Sequence, residues 1–301
     1  MPPSHFLQTN TSTVTRTEYP HSLPVVTRRS RPPLQPGWVL VDGAPMFHRW
    51  HDPGAASIGT VVHVHGFAIS GTYLEPTAAR LAPWYRTFVP DLPGMGRSLS
   101  PVEPLDMQGL TRALVEYLDA VGVERATFVG NSLGCPIITE VAATFPERID
   151  AAVLVSPAGG VNNRPMVRAL GQMALVGTRE PPAMLRIAVR DYLRFGIVRS
   201  LALFRAMTRY PTLERLQDMT IPTLVVTGDR DPLVDQRRVF VLGGMPQVQA
   251  MRIPGAHALN FSRPAIVADL TDAFVRCRSL DEAAARNPGV ERISIPSAAA
   301  G

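Results

Sequence analysis

The chain has 301 residues, 46% of them apolar and 18% charged, enough to fill a sizeable core in one large α/β domain with an insertion or in two small domains. All 30 basic residues are Arg, and the missing lysine amine excludes Schiff-base chemistry, pyridoxal-phosphate anchoring and a P-loop. The formal charge of +5 comes from Arg scattered among 25 acids and not from a basic tail, which argues against a nucleic-acid partner. Two Cys, 142 positions apart, cannot build a four-thiolate metal site.

No stretch approaches the roughly 18 consecutive apolar residues of a membrane span, and the first thirty residues lack the apolar run of a secretory signal. The expectation is therefore a soluble, cytoplasmic protein with no membrane span. Residues 1–36, rich in Ser, Thr, Pro and Arg, read as a disordered tail. Trp38–Val41 and Pro45–Trp50 flank Asp42-Gly43, a tight-turn dipeptide, and predict an antiparallel pair. Short β-branched runs follow at Thr60–Val64, Thr87–Val89, Ala126–Val129, Ala152–Val155, Thr223–Thr227 and Val248–Ile253. Helical periodicity lies between them at Tyr73–Leu81, Leu105–Val121, Leu133–Phe145, Asp235–Leu242 and Arg263–Arg276. Strands apolar throughout and separated by helices indicate a parallel sheet covered on both faces, because each crossover lays a helix against it. The alternation breaks once, over 161–216, which reads as an inserted helical cap; 37–160 and 217–280 form the core. Residues 281–301 read as a C-terminal tail after one short Ala-rich helical stretch.

The sharpest chemical signal is Gly130-Asn131-Ser132-Leu133-Gly134, placed between a strand and a helix. A nucleophile there sits on a turn too tight for side chains at Gly130 and Gly134, and the amide of Leu133 can stabilise an oxyanion. A serine hydroxyl needs a base, and of seven His only His257 follows Ser132. For the acid, Gly228-Asp229-Arg230-Asp231-Pro232 offers two carboxylates. Asp231 is preferred because it lies further past the strand, and Asp229 suits a turn-maker. The loop His65-Gly66-Phe67 supplies a second oxyanion amide, that of Phe67. His63 and His65 share a strand face but have no third ligand at suitable spacing, so no metal and no cofactor are expected.

Together with Asp91-Leu92-Pro93-Gly94-Met95-Gly96-Arg97-Ser98 and Gly255-Ala256-His257, these segments run in an order that resembles the α/β-hydrolase fold enzymes over about 37–280. The resemblance implies a mostly parallel eight-stranded sheet with helices on both faces and a helical cap after the sixth strand. It implies a triad of Ser132, Asp231 and His257, with oxyanion amides from Phe67 and Leu133. With Ser at the nucleophile position, the chain departs from the family's dehalogenases and epoxide hydrolases, which use Asp there. A serine hydrolase acting on an ester or thioester is expected. Carbon–carbon hydrolysis of a diketone is the alternative, and a ligand receptor on the same fold the alternative of another class; a homodimer is left open.

The cap segment 161–216 holds ten Arg and three acids, a balance of +7 against +5 for the whole chain. Arg186, Arg190 and Arg194 recur at one helical turn and share a face. A solvated face accounts for them; the functional alternative is that Arg186 and Arg190 steer an acidic substrate, a carrier-linked acyl group or a membrane surface towards the pocket. Met166, Met173, Met184 and Met207 suit either an acyl pocket or ordinary helix packing.

Overall fold

The computed structural model describes residues 32–100 and 105–293. Most of the expected 1–36 tail lies outside the described residues. The strands are β1 (Gln35–Val41), β2 (Ala44–His51), β3 (Thr60–Val64), β4 (Arg86–Pro90), β5 (Ala126–Asn131), β6 (Ile149–Val155), β7 (Thr223–Gly228), β8 (Val248–Ile253) and β9 (Glu291–Ile293). The helices are α1 (Glu75–Leu81), α2 (Met107–Ala120), α3 (Gly134–Thr144), α4 (Met166–Arg179), α5 (Pro182–Phe195), α6 (Ile197–Arg209), α7 (Thr212–Arg215), α8 (Gln236–Leu242), α9 (Leu259–Ser262), α10 (Pro264–Val275) and α11 (Leu280–Ala285).

One sheet runs β1-β2-β4-β3-β5-β6-β7-β8-β9, parallel from β4 to β8 and antiparallel at both margins. Among the described residues the expected eight strands are thus nine, and the expected C-terminal tail folds as far as residue 293. There, β9 pairs with β8, and α11 starts on Ser279, whose side chain accepts from the Glu282 amide. A three-residue strand is too short to show a period, which is why the sequence pattern passes over it.

The alternation of side chains divides the core in two. Val62, Val64, Phe128, Leu154 and Val225 pack with Leu110 and Leu114 of α2 and Ile137 and Ile138 of α3. Val61, Val129, Val153, Leu224 and Val226 pack with Leu81 of α1 and Val267, Leu270 and Phe274 of α10. Four helices, α4 to α7, fill the interval between β6 and β7. Among the described residues, no helix is long and apolar enough to cross a membrane.

From β3 the chain passes to β4 on one side, then returns past β3 to add β5 on the other. At such a reversal, the loops leaving adjacent strands part in opposite directions and open a crevice beyond the strands' carboxyl ends. The loops after β3 and β5 therefore face one another across it.

The turn after β4 is pinned by a buried charge. Asp91, with no exposed surface, accepts from Arg49 at 2.7 Å, from the Gly71 amide at 2.7 Å and from the Arg97 amide at 2.9 Å. Arg49 also pairs with Glu75 at 2.6 Å, so β2, α1 and two loops meet at one cluster. Asp91→Ala leaves the buried Arg49 and two amides short of partners and is expected to destabilise the fold by about 3 kcal/mol, read from the urea unfolding midpoint.

Candidate active site

Ser132 has φ +55°, the left-handed conformation that carries its side chain out of the turn between β5 and α3. The neighbouring glycines are dictated by contact. A β-carbon on Gly134 would lie 2.2 Å from the Val64 carbonyl oxygen, and one on Gly130 would lie 2.5 Å from Ile138 Cδ1 and 2.9 Å from the Gly134 backbone. Cys135, directly behind, is buried, with its thiol directed at the Gly130 and Val155 carbonyls; burial pushes its pKa well up.

His257 lies in the loop after β8, and its Nδ1 is 2.8 Å from Asp231 Oδ2. The other oxygen of Asp231 accepts from the Leu233 amide at 2.9 Å, which orients the carboxylate. Asp229 instead accepts from the Gly255 amide at 2.8 Å and is exposed, as a turn-maker would be. Burial works against the His257 cation, but the charge and hydrogen bond of Asp231, reinforced by Glu180, outweigh it and raise the imidazole above its ordinary value. Nε2 of His257 is buried and unbonded. No hydrogen bond joins it to Ser132 Oγ, yet Ser132 and His257 line the same cavity, of about 360 Å³. Tyr192 and Met184 are also in its wall, which is mostly apolar.

Phe67 lies in that wall too, and Leu133 immediately follows Ser132. Among the described residues, neither backbone N–H is hydrogen bonded to a protein group. Both of the nitrogens of His65 are engaged. Nε2 accepts from the Leu92 amide at 2.8 Å, so Nδ1 carries the proton and donates to the Gly66 carbonyl at 2.9 Å. His63 is wholly buried, and burial lowers its pKa to about 3. Among the described residues, no three His, Cys, Asp or Glu gather as a metal site. Arg186 and Arg190 are exposed and outside the cavity wall; Arg190 pairs with Asp191 at 2.8 Å.

Several residues escaped sequence reasoning. The Gly66 amide donates to Tyr73 Oη at 2.8 Å, and Tyr73 donates to Asn131 Oδ1 at 2.7 Å. Asn131 Nδ2 donates to the His257 carbonyl at 3.1 Å, closing a chain through all three loops. Glu180, between α4 and α5, accepts from the His257 and Ala258 amides, both at 2.7 Å, through one oxygen. Asp191 of α5 is buried and accepts from the Ser70 amide at 2.8 Å and the Ser70 hydroxyl at 2.6 Å. Only their rarity in an Arg-rich segment could have marked these two carboxylates.

The model of the alpha/beta hydrolase family matches residues 61–270, most of the chain. The chain belongs to the alpha/beta hydrolase family. A protein of Mycobacterium phage D29 bearing the name of a non-heme haloperoxidase is 26% identical over 247 residues, 72% of this chain and 88% of its own. A pimeloyl-[acyl-carrier protein] methyl ester esterase of Pectobacterium carotovorum is 33% identical over 109 residues, which cover 36% of this hydrolase and 40% of the esterase. Among solved structures, carboxylesterase CesB of Bacillus subtilis superposes with a TM-score of 0.67 at 20% identity, over 80% of this chain and 91% of its own. The likeness to the solved structure is one of fold.

Because the obstacle at Gly134 is a backbone carbonyl and not a yielding side chain, Gly134→Ala is expected to cost about 3 kcal/mol or to prevent folding, measured by thermal unfolding beside the parent chain.

Proposed function

We propose that this hydrolase cleaves a carboxylic ester or thioester through an acyl-enzyme on Ser132. The observation that carries the reading is the His257–Asp231 bond at 2.8 Å, with the second imidazole nitrogen left unbonded beside a cavity that Ser132 also lines. Ser132 Oγ attacks the carbonyl while Nε2 of His257 takes its proton, and Asp231 steadies the imidazolium. The Oγ–Nε2 contact tightens as substrate fills the cavity. The amides of Phe67 and Leu133 receive the negative charge that develops on the carbonyl oxygen. His257 returns the proton to the leaving alcohol or thiol, water then attacks the acyl group with the same base, and the acid departs.

The apolar wall suits an acyl chain or ring. The ester-cleaving names among its relatives agree with this reading. The cap assigned to 161–216 walls the cavity on one side, with α4 and α5 supplying Met173 and Met184.

A fluorophosphonate probe, read by peptide mass spectrometry, is expected to label Ser132 alone. Ser132→Ala should lose labelling and at least about 1,000-fold in kcat while keeping its unfolding midpoint. Undiminished hydrolysis by that variant would refute the mechanism. Catalysis requires neutral His257, so kcat/KM should rise with pH through the raised pKa of the imidazole. Glu180→Gln removes a negative charge near the ring and should move that acid limb to lower pH; a limb that stays in place would remove Glu180 from the electrostatics of the base.

A further inference from the structure

The outer face of the helices between β6 and β7 is chemically unlike the rest of the surface. Thirteen large apolar side chains are exposed among the described residues, and eight of them lie in 161–216. Val167 on α4, Leu193 on α5 and Val198 on α6 are 79%, 77% and 82% exposed. Single exposed apolar residues are ordinary, whereas a concentration in one segment marks a surface that meets something.

On α5 the pattern is ordered. Leu185, Val189 and Leu193 recur every four residues and form one exposed row. Arg186, Arg190 and Arg194 form a second row one position on, also exposed. The acids of the segment offset that charge only at Arg190, which pairs with Asp191 at 2.8 Å. Glu180 is committed to the His257 loop, Asp191 is buried against Ser70, and Glu214 pairs with Arg238. Arg186 and Arg194 have no hydrogen bond or ion pair among the described residues.

The cavity also reaches this face. Ala174 of α4 and Leu185 of α5 are both exposed and both line it, so its mouth lies between those helices. From this arrangement we infer that the α4–α6 face docks on an anionic phospholipid surface, seating the apolar row among the acyl chains and the Arg row against the phosphates.

Charge selects this occupant over a second copy of the chain. A two-fold pairing of α5 faces would set the Arg rows against one another if antiparallel and against the apolar rows if parallel, whereas an anionic bilayer offers phosphate to the guanidinium groups and hydrocarbon to the leucines. Docking this way holds the protein on the surface without a span. It also turns the mouth of the cavity towards the membrane, so that a water-insoluble acyl substrate passes between α4 and α5 directly.

Binding needs no catalysis, so the test uses the full chain carrying Ser132→Ala and stands or falls apart from the proposed reaction. Vesicles of phosphatidylcholine alone, or with phosphatidylglycerol as about a third of the lipid, are sedimented with the protein. The expected result is association with the anionic vesicles at low salt, at least about tenfold weaker on neutral ones, and lost by about 0.5 M NaCl. Leu193→Asp and Arg194→Glu, each checked for an unchanged circular dichroism spectrum and urea midpoint, should each weaken association about fivefold to tenfold. Equal association of the variants and their parent, equal association with neutral and anionic vesicles, or none with either would overturn the inference. So would a dimer by light scattering that Leu193→Asp dissolves, since that result gives the face to a second copy.

Discussion

Helix α3 begins so near the end of β3 that no β-carbon fits between Gly134 and the Val64 carbonyl. That contact fixes where the chain turns after β5. The turn in its place puts Ser132 at positive φ, leaves the Leu133 amide unbonded, and brings both beside the loop that carries Phe67. The topology supplies the crevice by reversing direction between β3 and β5, and the glycines let α3 approach β3 closely beneath it. Every other element of the site is arranged around this approach.

The inserted helices are tied to the site by carboxylates. Glu180 collects two amides from the loop of His257, and Asp191 collects a hydroxyl and an amide from the loop that follows Phe67. Each tie runs from the insertion to a different side of the crevice. Beneath them, Tyr73 and Asn131 link the Gly66 amide to the His257 carbonyl through fully buried hydrogen bonds. A displacement of α5 would therefore be felt in both flanking loops, because neither carboxylate can leave without depriving buried amides of their acceptor.

Much of this was legible in the sequence because its signals are local. The strand runs and intervening helices emerge where expected to within a few residues, since apolar alternation and β-branched runs report burial directly. Gly130 and Gly134 are readable because only glycine tolerates such contacts, and His257 because no other histidine follows Ser132. The preference for Asp231 over Asp229 rested on distance beyond the strand, and the geometry gives these two their separate partners. Tyr73, Asn131, Glu180 and Asp191 were not readable, because each acts through a partner between 58 and 126 positions away. Sequence spacing carries no trace of such meetings. The ninth strand was missed for a different reason: three residues at a sheet margin owe their conformation to β8 and not to any pattern of their own.

The segment around the mouth of the cavity is cationic wholly through guanidinium groups, as is the entire chain. Guanidinium keeps its proton throughout the range in which proteins function, so this positive field does not fade in alkaline surroundings as an ammonium field would. It is also a poor nucleophile. On the proposed chemistry, a labile acyl group passing through the mouth meets no side-chain amine able to intercept it by aminolysis.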